Sequence, residues 1–136
     1  MPKSTKIAWD GCPIRYASGL FGDKWSLLII RDLMFKGRRF YGDFQEAGEG
    51  ISTNILASRL TDLEENGIIS KARDPEKGSR YIYNLTEKGI ELMPMMLAMM
   101  DWAEKYDEAT EVPKDFINKL RTDPTALQQE LIDNLP

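Results

Sequence analysis

Few side chains in this sequence are able to carry chemistry. Its 136 residues include no histidine and one cysteine, Cys12. Without histidine there is no Ser-His-Asp triad, no HExxH zinc site and no imidazole general base. One cysteine allows neither an internal disulfide nor an all-cysteine metal site. A carboxylate cage is the remaining metal option, and no D-x-D-x-D-G loop is present. Cys12 has no histidine to activate it, and no spaced carboxylate pair stands out. The reading is a non-enzymatic protein that needs no metal or cofactor. Cys12 does stand directly before Pro13, a favourable first helical residue. At that place a thiol faces unpaired N–H groups and the positive end of a helix dipole, which favours the reactive thiolate. The alternative is a small packed residue, inert because it is buried.

The second candidate chemistry is hydrogen-bonded recognition. Ser52, Thr53, Asn54, Ser58 and Arg59 fall in the stretch from Ile51 to Thr61, which carries one charge and no acid. Asn54 offers a donor and an acceptor, the pair that suits adenine N6 and N7. Thr53 and Ser58 can meet base edges or phosphates. Arg59 reads as a phosphate contact, with an ion pair to Asp62 or Glu46 as its alternative. Lys71, Arg73, Lys77 and Arg80 follow on two β-like runs around Pro75 and Gly78. The net charge of −4 argues against a nucleic-acid partner at first sight, but its distribution does not. Residues 1–90 carry +2 and residues 91–136 carry −6, so an N-terminal body can meet DNA while the acid sits elsewhere.

These side chains need elements to hold them. Residues 1–11 show no periodicity and read as an arm. Pro13 opens a helix with Ile14, Ala17, Leu20 and Phe21 at helical spacing. Asp23 is the N-cap expected for a second helix, Lys24 to Lys36, apolar nearly all round and therefore central. A brief helix over Tyr41–Ala47 precedes the glycines at 48 and 50. Ser52 caps a helix to about Asn66, with Leu56, Leu60 and Leu63 inward and Gly67 as its stop. The runs at 68–73 and 80–85 form a hairpin, and Thr86 caps a long helix from Glu87 to about Tyr106, kinked at Pro94. Pro113 and Pro124 punctuate two short amphipathic pieces.

A short helix, a turn, a helix with a polar outer face and a basic hairpin make a winged helix-turn-helix, in a mostly α (α+β) fold. The polar helix fits the major groove, and the hairpin fits the backbone or minor groove. A winged-helix module that contacts protein rather than DNA is the alternative, and an apolar outer face would favour it. The stretch 90–102 is polar only at Glu91 and Asp101. One small domain cannot cover such a helix on every side, so a homodimer is expected, with the first helix as companion and a near-palindromic double-stranded operator. Its methionines, together with Trp102, Trp9 and Trp25, have two readings: core or interface packing, or a pocket for a small-molecule inducer. No apolar run reaches transmembrane length and the first ten residues are polar, so no membrane partner is expected and the location reads as cytoplasmic.

The residues also resemble a family. The matching blocks are Cys12-Pro13, GDKWSLLIIRDL (22–33), GRRF (37–40), GISTNIL (50–56), Arg59-Leu60, Leu63-Glu64, Gly67-Ile68 and YNLTEKG (83–89). Together they resemble the HxlR-type winged-helix regulators of the broader MarR-like group, over about residues 10–105. The resemblance implies a dimeric transcription factor with a recognition helix at Ser52–Asn66 and a wing at 68–85. It also implies that Cys12 stands where some relatives sense oxidants or electrophiles. The organisation expected is an arm at 1–11, the winged domain with its dimerisation helices at 12–106, and an acidic helical extension at 107–136 that the family pattern does not explain.

Overall fold

The computed structural model describes residues 11–136. The expected arm and Trp9 lie outside the described residues, except for Gly11 at the arm's end. Helix α1 spans Pro13–Phe21. It closes on Gly22, whose N–H donates to the Ser18 carbonyl at 2.8 Å. A Cβ on Gly22 would stand 2.6 Å from that same oxygen, so the α1–α2 joint admits only glycine without rearrangement. Helix α2 spans Lys24–Phe35 and is capped by Asp23, which accepts from the Ser26 N–H at 3.1 Å. Ile29, Ile30, Leu33 and Met34 are buried on it, whereas Trp25, Leu27 and Leu28 are half-buried.

Helix α3 is short, Tyr41–Gln45. Its entry is fixed by Asp43, which accepts from the N–H groups of Arg39 and Phe40. Helix α4 spans Thr53–Glu65 and begins at Ser52, whose hydroxyl accepts from the Ile55 N–H. Leu56, Leu60 and Leu63 form its buried stripe, as their spacing predicts. Gly67 ends it with φ +73°, a left-handed conformation that glycine adopts at no cost. Strands β1 (Ile69–Arg73) and β2 (Tyr81–Leu85) pair antiparallel, from Ile69 opposite Leu85 to Arg73 opposite Tyr81.

The expected single helix over 87–106 is corrected to two. Helix α5 covers Glu87–Ile90 and α6 covers Met93–Tyr106. Pro94 has no N–H to donate and would clash with the carbonyl one turn before it, so it sits in the first turn of a new helix rather than inside an old one. Helices α7 (Lys114–Thr122) and α8 (Pro124–Asp133) are the two amphipathic pieces. Their Ile117, Leu120 and Leu127 join the core that Ile30, Leu56, Leu63, Ile68, Met93 and Leu97 define. Arg121 on α7 holds Asp101 and Glu104 of α6 at 2.7 and 2.6 Å, which fastens the extension to the winged body.

Candidate nucleic-acid interface

Helices α3 and α4 and the β1–β2 hairpin bring the candidate residues to the surface in chain order. Thr53, Asn54 and Ser58 are exposed on α4. Among the described residues their side chains have no hydrogen-bond partner, so their donors and acceptors face solvent. Ser52 is spent differently: its oxygen caps the helix. The first turn of α4 is also tied to α3, because the Tyr41 hydroxyl donates to the Thr53 carbonyl at 3.1 Å. That bond leaves the Thr53 side chain free while fixing the backbone that carries it. The exposed face of α4 is polar, which is what a base-reading surface requires and a protein-docking face does not.

Arg59 is placed away from this group, and the alternative ion pair expected for it is corrected. Its Nε donates to Asp23 Oδ2 at 2.8 Å, and neither Asp62 nor Glu46 takes it. The reason is angular. At about 100° per residue, Arg59 lies about 140° around the helix from Asn54. It therefore points toward the α1–α2 joint. Partial burial opposes ionisation of Asp23. The Ser26 hydroxyl and N–H and the Arg59 guanidinium outweigh it and hold the carboxyl below its ordinary value.

Of Arg73, Lys77 and Arg80, the wing cations expected at the DNA backbone or minor groove, only Lys77 has a side chain without a partner among the described residues. Arg73 donates to the Gly78 carbonyl at 2.6 Å, closing the hairpin loop. Arg80 donates through Nε to Asp74 at 2.6 Å and stacks over the Phe40 ring at 3.8 Å. Asp74 is buried, accepts also from the Glu76 N–H, and is held below the usual carboxylate range by Arg80 first and that N–H second. The wing is thus braced internally and against the entry to α3. Lys71 and Arg73 both lie over the Tyr81 ring, which gathers positive charge along one side of the hairpin.

Sequence reasoning missed the ion pairs that tie α2 to the segments on either side of α3. Asp32, almost fully buried, is bonded by Arg31 and by Arg38 at 2.7 and 2.8 Å, and Arg31 reaches on to Glu49 in the turn at 2.6 Å. The signal was present as charges inside an apolar helix, Arg31-Asp32, which an exposed face does not explain. Cys12 is the N-cap residue of α1, half-buried, and its thiol makes no capping hydrogen bond. Met93, Met96 and Leu97 are core, whereas Met99, Trp102 and Tyr106 are exposed. The Met-aromatic stretch divides between the interior and the open surface.

A short helix, a turn, a polar-faced second helix and a basic hairpin in this geometry define a winged helix-turn-helix DNA-binding protein. The chain belongs to the HxlR-like helix-turn-helix family, which it matches over residues 20–111. It is 42% identical over 98 residues to the uncharacterized HTH-type transcriptional regulator sll1512 of Synechocystis, covering 69% of this chain and 72% of that one. It is 39% identical over 98 residues to the HTH-type transcriptional regulator YodB of Bacillus subtilis, covering 71% and 87%. The diamide-treated crystal structure of YodB superposes with a TM-score of 0.56 at 33% identity over 72% of this chain and 97% of that one. The redox regulator HypR in its oxidized form superposes with a TM-score of 0.64 at 26% identity, over 72% and 100%. The protein is a DNA-binding transcriptional regulator. Helices α7 and α8 lie beyond the matched residues.

Proposed function

We propose that two copies of the chain grip one near-palindromic duplex, each inserting α4 into a major groove and laying its wing along the adjacent backbone or minor groove. The observation that carries this is the exposed, unpartnered set Thr53, Asn54 and Ser58 on the acid-free half of α4. Asn54 is the adenine-reading candidate, and Arg73, Lys77 and Arg80 supply positive charge to phosphates. The dimer is supported by an apolar stripe on α6: Met99, Trp102 and Tyr106 recur at helical spacing, with Trp102 66% and Tyr106 71% exposed. Ile14 and Tyr16 on α1 add apolar surface. The working unit is residues 12–106, with 107–136 as its acidic extension. No helix among the described residues is long and apolar enough to cross a membrane, and we propose a cytoplasmic location, where the bacterial relatives would meet their DNA.

We assign redox sensing to Cys12, at the start of α1, on the strength of its N-cap position and of the two relatives crystallised in oxidised or diamide-treated form. Modification there would shift α1 and with it the spacing of the two recognition helices. The experiment is selection of a preferred duplex from a random pool, followed by binding titrations. Asn54→Ala should lose about 1–3 kcal/mol of specific binding and relax one base position. Diamide should weaken wild-type binding and leave Cys12→Ser unchanged. Undiminished specificity in Asn54→Ala refutes the docking, and equal diamide responses refute the sensor.

A further inference from the structure

We infer that Arg59 is a positioning residue for DNA recognition: through Asp23 it locks the recognition helix to the α1–α2 joint, and it does not contact phosphate. The inference rests on α4 being the helix that enters the groove.

Three observations lead to it. The first is direction: Arg59 lies on the flank of α4 that faces α1 and α2, while Asn54 and Ser58 lie on the open face. The second is the partner. Asp23 Oδ2 accepts from the Arg59 Nε at 2.8 Å and from the Ser26 N–H at 3.1 Å. One carboxylate oxygen therefore fixes the start of α2 and the middle of α4 together. The Arg59 Nε is committed to that carboxylate in a charge-assisted bond, which holds the guanidinium on the flank and away from the open face. The third is the stiffness of what lies behind it. Gly22 joins α1 to Asp23 with no room for a side chain, and its N–H is bonded to Ser18. Asp23 is thus rigidly continuous with the end of α1.

The arrangement complements the Tyr41–Thr53 bond on the opposite flank. Tyr41 fixes the first turn of α4 from α3, and Arg59 fixes the next turns from α2. A recognition helix must present its side chains in a narrow range of angles, and loss of either tie lets it roll about its buried leucine stripe. Rolling degrades base contacts and leaves the backbone attraction largely intact.

Asp23→Ser is the discriminating variant. Serine is an equally good N-cap, so α2 keeps its start, but its uncharged hydroxyl is too short to serve as the Arg59 partner. If Arg59 positions the helix, Asp23→Ser weakens binding to the preferred duplex about threefold to tenfold and leaves binding to random duplex unchanged. Arg59→Gln does the same, and the double variant is no worse than either single one. The slope of log K against log salt is unchanged in all three. If Arg59 instead grips phosphate, removing Asp23 frees it, so Asp23→Ser tightens binding to every sequence. In that case Arg59→Gln lowers the salt slope by about 0.9. Either result overturns the inference, as does Asp23→Ser binding like wild type. Circular dichroism and melting of each variant establish that the fold persists, and Asn54→Ala is run beside them. An Asn54→Ala variant that loses specificity while Asp23→Ser does not sinks the clamp alone. One that keeps full specificity removes the docking and the clamp with it.

Discussion

Gly89→Ala is expected to destabilise the protein although the residue sits in a helix, where alanine is ordinarily preferred. Gly89 lies in α5 where that helix passes over the start of β1. A Cβ there would stand 2.2 Å from the Ile68 carbonyl oxygen and 3.0 Å from a Leu85 methyl. To restore ordinary contact, α5 has to move outward by about 1 Å. The same Ile68 carbonyl accepts from the Thr86 N–H at 3.1 Å, while the one proton of the Thr86 hydroxyl is directed mainly at the Gly67 carbonyl. A displacement of that size takes the Thr86 N–H bond beyond bonding distance, at about 1 kcal/mol. Residual overpacking adds about 1–3 kcal/mol. Alanine's helix preference returns about 1 kcal/mol. The net loss is about 1–3 kcal/mol, a sizeable share of the roughly 5–15 kcal/mol by which such domains are stable. Equilibrium urea unfolding followed by tryptophan fluorescence measures it, at one fixed protein concentration because the proposed dimerisation would shift the midpoint. A Gly89→Ala midpoint equal to or above that of wild type would refute the close-approach reasoning.

Two further outcomes follow from the geometry. Asp74 is held below its unfolded value by Arg80 and the Glu76 N–H, so its contribution to wing order is complete at neutral pH and is lost as pH falls through the lowered folded value. Amide exchange in residues 73–81 should accelerate below the usual carboxylate range, and Asp74→Asn should remove that pH dependence. Unchanged exchange in acid would disprove the brace. Trp102→Glu places a charge in the exposed stripe of α6 and should yield monomers by sedimentation at micromolar concentration, with the melting of the monomer little changed because Trp102 is 66% exposed. Dimers of undiminished strength would remove α6 from the interface.

Where a local pattern decides the structure, the fold was legible. The leucine spacing of α4, the caps at Asp23, Ser52 and Thr86, and the stop at Gly67 are read from neighbours within four residues, and all recur in the structure. The break between α5 and α6 was half-legible, since Pro94 announced an interruption but not that the chain would restart the helix around it. Gly89 was visible only as part of a matching block. Its reason is the Ile68 carbonyl 21 residues earlier, a contact no local reading contains.

Charged residues were legible in type and illegible in role, for one physical reason. A sequence shows that a cation is available, whereas its function depends on which anion reaches it first. Arg59, Arg73 and Arg80 read alike as phosphate contacts. In the folded chain Arg59 is met by Asp23, Arg80 by Asp74 and the Phe40 ring, and Arg73 by a carbonyl of its own loop. A carboxylate partner offsets part of a cation's field and a carbonyl does not, and either one fixes the cation's geometry before DNA arrives. A braced arginine in the wing adds attraction without paying to be ordered on binding, and a braced arginine on the flank of α4 sets an angle. Neither supplies sequence preference itself. In the proposed docking that falls to the uncharged residues Thr53, Asn54 and Ser58, whose hydrogen-bonding groups the fold leaves unspent.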